Sequence, residues 1–304
     1  MSKKAFIFPG QGSQYVGMAK DLYDNSVEVR EMVKTADEAI GISLSQIMFN
    51  GPEEALKQTD VTQPSIFLHS VVAYSLIRLI EPDAVAGHSL GEYSALVASK
   101  SLQFYDAIKL VRVRGEAMLK AGIEQPGTMA AIVGLDSSKL DEICVVASEK
   151  GVVQAANYNS PGQIVISGSV DGVKNAMELC KASGAKLVKE LVVSGAFHSP
   201  LMSSAKDRLV NQINETPFFD SKIPVFANVT AKPVNNASDI KDLLVKQLTK
   251  PVRWEETIKN MVSEGIEEFY EIGPGKVLQG LVKRIAPNAK VFGIDKFADL
   301  EQYL

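Results

Sequence analysis

Short apolar runs alternate along the chain with longer stretches whose apolar positions recur at helical spacing, the pattern of buried strands covered by helices. Residues 5–8 read as an opening strand that ends in the glycine-rich loop Pro9-Gly10-Gln11-Gly12-Ser13-Gln14. Residues 27–40 and 44–49 read as helices, and Thr62 is placed to cap a longer helix through residue 80, with Pro64 in its first turn. A second short apolar run, residues 83–86, passes into helix-forming residues 92–98 through Gly87-His88-Ser89-Leu90-Gly91. Residues 102–121 predict a helix with Phe104, Ala107, Val111 and Met118 toward one side and Lys109, Glu116 and Lys120 opposite. Arg114 falls on the apolar side.

Between residues 127 and 191 the alternation becomes tighter. Residues 128–133 read as a strand, 137–149 as a helix, 152–157 and 163–168 as strands around Asn159-Ser160-Pro161-Gly162, 170–182 as a helix and 186–191 as a strand. The order βαββαβ predicts a small ferredoxin-like unit, an antiparallel sheet with two helices on one face, inserted into a larger α/β domain. Beyond it come a helix at 203–214, a strand at 225–227 and a helix at 239–248. A further helix, a strand at 267–271, the turn Gly273-Pro274-Gly275 and a helix through residue 284 complete the pattern.

Composition narrows the function. The 304 residues, 46% of them hydrophobic, suffice for a large core. A formal net charge of -4 with no basic block speaks against nucleic-acid binding. The apolar stretch 66–80 is interrupted by His69 and Arg78, and Lys3-Lys4 precede only a brief apolar run. Neither a membrane span nor an export signal is predicted, and the expected location is the cytoplasm. Cys144 and Cys180 lack metal-ligand spacing and fall in predicted helices, so reduced thiols are expected and no metal site. The loop at residues 9–14 has Tyr15 where a dinucleotide fingerprint needs a third glycine, and no Walker lysine follows.

The chemistry centres on Ser89. A serine between two glycines, at a junction of strand and helix, fits the nucleophile elbow, although a helix-capping serine has the same local sequence. Its hydroxyl needs a base, and the chain offers three histidines. His69 lies within a predicted helix, and the side chain of His88, next to Ser89, should diverge from it. His198 remains, in the order nucleophile before histidine. The amide of Leu90 and one from Gly10-Gln11-Gly12 can supply two oxyanion donors. Arg114 on an apolar face requires an anion, either an internal carboxylate or a ligand. Arg112 can pair with Glu116 at a spacing of four.

Phe8 to Gln14, Thr62-Gln63-Pro64, Gly87-His88-Ser89-Leu90-Gly91-Glu92-Tyr93, Arg114-Gly115, Gly195-Ala196-Phe197-His198-Ser199, Gln247 to Trp254 and Ile272-Gly273-Pro274-Gly275 together resemble the malonyl-CoA:acyl-carrier-protein transacylase family. They occur in the family's order and span nearly the whole chain, which is also similar to the acyltransferase domains of polyketide and animal-type fatty acid synthases. The resemblance implies a ping-pong transfer from malonyl-CoA to the phosphopantetheine thiol of acyl carrier protein, with no bound cofactor. It implies Ser89 as nucleophile and His198 as base, the amides of Gln11 and Leu90 as oxyanion hole, and Arg114 as partner of the malonyl carboxylate. It also implies that the main-chain carbonyl of Gln247 orients His198 and that Phe197 crowds an α-methyl branch, and Asn157 is expected to border the acyl or pantetheine cleft from the small domain. By the same analogy Lys189, Lys283 and Arg284 are docking candidates for the carrier. The expected fold is a large α/β-hydrolase-like domain, residues 1–126 and 195–304, around a short mainly parallel sheet, with the ferredoxin-like insert at 127–194. Competing readings are a serine hydrolase or thioesterase with the same elbow, a noncatalytic carrier-binding module, and a trans-acting polyketide acyltransferase.

Overall fold

A computed structural model describes residues 2–304. Among the described residues ten strands form two sheets. The first contains β1 (Lys3–Phe8), β2 (Ala84–Gly87), β7 (Val225–Phe226), β8 (Pro233–Val234), β9 (Ile266–Ile272) and β10 (Lys290–Ile294), in the order β10-β9-β1-β2-β7-β8. All neighbours are parallel except β8, which runs antiparallel to β7. Strands buried on both faces need apolar residues at every position, and side chains then part by alternation. Phe6 and Phe8 of β1 enter one core, while Ala5 and Ile7 enter the core on the opposite face. Val85 parts from Ala84 and Ala86, and Tyr270 from Phe269, in the same way. Each fully buried phenylalanine contributes about 1.5–3 kcal/mol. Parallel strands also bring their carboxyl ends to one edge, and there the loops after β1, β2, β7 and β9 converge.

The second sheet joins β3 (Gly127–Val133), β4 (Val153–Ser160), β5 (Gln163–Ser169) and β6 (Leu187–Leu191) in the order β4-β5-β3-β6, all antiparallel. Helices Ser137–Ala147 and Val170–Ala182 share a core with one of its faces, made of residues of this segment alone, including Cys144 and Cys180. Both cysteines are free and buried. Met129, Ala156 and Val165 join the core of the larger body.

Two expectations need correction. The helix predicted at 62–80 spans Thr59–Ser75. Thr62 does not cap it: its N–H already bonds the carbonyl of Gln58, and its hydroxyl donates to Leu56 O at 2.5 Å. Pro64 therefore sits beyond the first turn, where its missing N–H leaves the carbonyl of Asp60 without a helical donor. Arg112 fills that place, donating to Asp60 O at 2.6 Å while pairing with Glu116 at 2.7 Å. The helix stops early because the N–H groups of Arg78 and Leu79 bond the carbonyl of Tyr303 instead. Strand β10 is invisible in the sequence pattern, since it is short and contains Gly293, whose missing Cβ leaves room for the Gln279 side chain. No helix among the described residues is long and apolar enough to cross a membrane.

Candidate active site

The turn after β2 is forced by its glycines. A Cβ on Gly87 would collide with the backbone of Gly91, and one on Gly91 with the carbonyl of Phe8. So close an approach puts Ser89 at φ 52°, a left-handed conformation that costs a non-glycine residue of order 1–3 kcal/mol. Asn228, in the loop after β7, holds it there. Its Oδ1 accepts from Ser89 N–H at 2.7 Å, and its Nδ2 donates to Gly87 O at 2.7 Å. The helix Gly91–Ala98 follows directly on Leu90, its N-cap residue, which lines a cavity of about 270 Å³ together with Gln11, Met118 and Asn157.

His198 faces Ser89 with Nε2 2.8 Å from the hydroxyl. Its Nδ1 lies 2.8 Å from the main-chain carbonyl of Gln247. A carbonyl can only accept, so Nδ1 carries the proton and Nε2 is left to accept from the serine. His198 also has positive φ, 58°, and its own carbonyl is held by Gln154 Nε2 at 2.7 Å. Burial, joined by the neighbouring Arg114 charge, lowers the imidazole to about 3, against the bond to Gln247. The ring is therefore neutral, as a base must be, at ordinary pH.

Arg114 is fully buried beside this pair. It donates to Gln63 Oε1 at 2.6 Å, to Gln247 Oε1 at 2.9 Å and to Ser89 Oγ at 3.1 Å, while Nε has no partner. Its guanidinium lies 5.4 Å from the Tyr93 ring centroid. Burial lowers its pKa, yet a guanidinium stays charged in proteins. Among the described residues its hydrogen-bond partners are all neutral, which answers the choice left open by the sequence: no internal carboxylate bonds it.

Gln247 is the hub. Its carbonyl accepts from His198 Nδ1, its Oε1 accepts from Arg114, and its Nε2 donates to Ser89 O at 3.0 Å and Glu92 Oε2 at 2.7 Å. Burial raises the Glu92 carboxyl to about 7.

Of the remaining candidates, Phe197 and Asn157 line the cavity and are nearly buried. Gln11 lines it from an exposed loop. Lys189, Lys283 and Arg284 are exposed and outside its lining, although Arg284 donates to the lining residue Gln163 at 2.6 Å. His69, in the helix Thr59–Ser75, is buried with Nε2 3.2 Å from Asp295 Oδ1. His88 turns away from Ser89, as its position required, to Asn159 Oδ1 at 2.8 Å. Sequence reasoning assigned no role to Gln63, Glu92, Asn228, Gln154 or Asn159. Gln63 and Glu92 lie inside quoted motifs and Asn228 directly follows a strand end, so a signal existed for those three. For Gln154 there was none. No cluster of candidate metal ligands occurs among the described residues.

An acyl transferase domain model matches residues 5–292. A malonyl CoA-acyl carrier protein transacylase of Bacillus subtilis (strain 168) is 45% identical over 297 residues, 97% of this chain and 94% of that protein. The crystal structure of an acyl carrier protein S-malonyltransferase from Vibrio cholerae is 42% identical with a TM-score of 0.95, covering 99% of each chain. A malonyl-transacylase solved in complex with a type II PKS acyl-carrier protein is 39% identical with a TM-score of 0.95, over 100% of this chain and 99% of that one. With this likeness running end to end over a chain whose elbow serine, histidine and buried guanidinium share one cavity, the protein belongs to the acyl transferase family, among the malonyl-CoA:acyl carrier protein transacylases.

Proposed function

We propose that Ser89, His198 and Arg114 together carry malonyl from CoA to the carrier protein. The chain is an acyl-carrier-protein S-malonyltransferase with malonyl-CoA and acyl carrier protein as its substrates, an activity that supplies the extender unit of fatty acid synthesis. Ser89 Oγ attacks the thioester carbonyl as its proton passes to His198 Nε2, and the oxyanion is held by the amides of Gln11 and Leu90. The C–S bond breaks, CoA leaves as a thiol with the proton from His198, and malonyl remains as an ester on Ser89. The pantetheine thiol then gives its proton to His198 and attacks that ester, and the proton returns to Ser89 as the C–O bond breaks. Arg114 holds the free carboxylate throughout. All of these groups are side chains or amides of the chain itself.

The observation that carries this reading is Arg114, a buried cation 3.1 Å from the nucleophile with only neutral partners. A hydrolase of neutral acyl groups has no use for it. Intact-mass measurement after mixing with malonyl-CoA tests the proposal: an added malonyl on wild type, removed by carrier protein, and none on Ser89→Ala. An unmodified wild type, or a modified Ser89→Ala, overturns it.

Several finer assignments belong with it. Phe197, next to the base and in the cavity wall, disfavours the α-methyl branch of methylmalonyl by about 1–3 kcal/mol. Asn157 borders the acyl group. Lys189, Lys283 and Arg284 form a positive rim for an acidic carrier. Residues 127–194 are a ferredoxin-like insert, a reading supported by the strand order β4-β5-β3-β6 and by its separate core. Residues 1–126 and 195–304 are the α/β-hydrolase-like catalytic domain, and the working location is the cytoplasm.

A further inference from the structure

Glu92 is a buried carboxylate that the transfer chemistry does not touch. It lies one helical turn beyond Ser89 and is 3% exposed. An acid in the first turn of a helix ordinarily serves that helix's own N–H groups. Glu92 instead accepts from Gln247 Nε2 at 2.7 Å and from Asn228 N–H at 3.2 Å, the two residues that hold Ser89. The far end of the same amide, Gln247 Oε1, accepts from Arg114 at 2.9 Å. A carboxylate only accepts and a guanidinium only donates, so the amide between them is satisfied in one orientation alone.

The spacing has an electrostatic consequence. A carboxylate directly on Arg114 would occupy its donors and compete with an incoming anion, whereas a buried cation with no counter-charge is strongly disfavoured. One amide of separation balances the charge and leaves Nε unpartnered, with Nη2 turned toward Ser89. We infer that Glu92 is a positioning residue that fixes the Gln247 amide and, from one amide away, sets how strongly Arg114 grips the free carboxylate of the acyl group. The inference rests on Arg114 being that clamp.

The test compares malonyl-CoA with acetyl-CoA, which lacks the second carboxylate, on the full chain. It is run at pH 8, above the value near 7 to which burial raises the Glu92 carboxyl. Glu92→Gln keeps the shape and removes the charge. The ratio of KM for malonyl-CoA to KM for acetyl-CoA should fall by at least about threefold, because the anion is then held more tightly. A role in structure alone would move both constants alike, and an unchanged ratio overturns the inference. The same substitution in an Arg114→Ala background should leave the ratio unmoved, and a shift there also overturns it. If Glu92→Gln does not fold, Glu92→Asp and Glu92→Asn, equal in size and different in charge, replace it. The Asn variant should show the lower ratio by the same factor, and equal ratios overturn the inference. The two layers separate cleanly. Arg114→Ala that keeps the preference for malonyl sinks the clamp itself, whereas loss of preference in Arg114→Ala with an unchanged ratio in Glu92→Gln sinks only the role of Glu92.

Discussion

The six-stranded and four-stranded sheets border the same cavity and contribute to it in different ways. From the parallel side come Ser89, Arg114, His198 and Gln247, joined through Glu92 and Asn228 into one buried polar network. Ser89 and His198 both have positive φ there. The antiparallel side offers Met129, Val165 and Leu191 as an apolar wall. It reaches the network through a few tethers: Gln154 to His198 O, Asn159 to His88, and the main chain of Ala156 and Tyr158 to Val252. Strain persists only where surrounding packing over-determines it, and the parallel sheet has a core on each face to do so. The difference teaches that the chemistry sits where the backbone is held hardest, while the smaller sheet encloses and steadies it.

The largest effect that would sharpen this contrast comes from Ser89→Ala, which should lower malonyl transfer at least about a thousandfold and abolish the acyl adduct by mass. Next is Arg114→Ala. Losing a charge-assisted contact of about 3 kcal/mol should cut kcat/KM for malonyl-CoA roughly a hundredfold while acetyl transfer holds or rises. Equal losses for both acyl groups would break the assignment.

The third effect is on stability. Because the His198 imidazole is held near 3, below its ordinary 6.5, the unfolded chain takes up a proton that the folded site refuses. Its contribution is complete above about pH 6.5 and is lost as the pH falls toward 3, with a slope on the order of 1 kcal/mol per pH unit. Urea titrations of wild type and His198→Ala between pH 7 and 4 should differ by that slope. The two buried thiols of the antiparallel side, Cys144 and Cys180, add no such slope, since burial pushes them up to about 12 and 11 and they stay protonated. The smallest effect is that of Gln154→Leu, which removes a tether and should lower kcat by about two- to fivefold with KM little changed, the cost of one hydrogen bond. A loss as large as that of Arg114→Ala would erase the distinction between network and wall.

Much of this could be read from the chain. Gly87 announces the elbow because the close approach that demands it, to the backbone of Gly91, is set within five residues, whereas Gly91 is demanded by the carbonyl of Phe8 on the neighbouring strand. The four strands and two helices between residues 127 and 191 follow the alternation almost residue by residue, since that segment builds its own core. Thr62 misled because a threonine two residues before a proline looks like a cap, whereas the helix had already begun at Thr59, with Gln58 accepting its first bonds.

By itself the sequence determined most of the elements, the elbow at Ser89 and the polar character of Arg114 within an apolar face, because each depends mainly on neighbours a few positions away. Only the tertiary structure decided that Arg114 meets the amides of Gln63 and Gln247 and no carboxylate, that Asn228 holds Ser89, and that Gln154 holds His198. Those partners lie 44 to 139 positions apart in the chain. Ser89 and Asn228 meet because parallel strands deliver their carboxyl ends to one edge, whereas Gln154 reaches His198 from the antiparallel sheet and Gln63, Arg114 and Gln247 come from helices packed around that edge, an arrangement that local pattern does not encode.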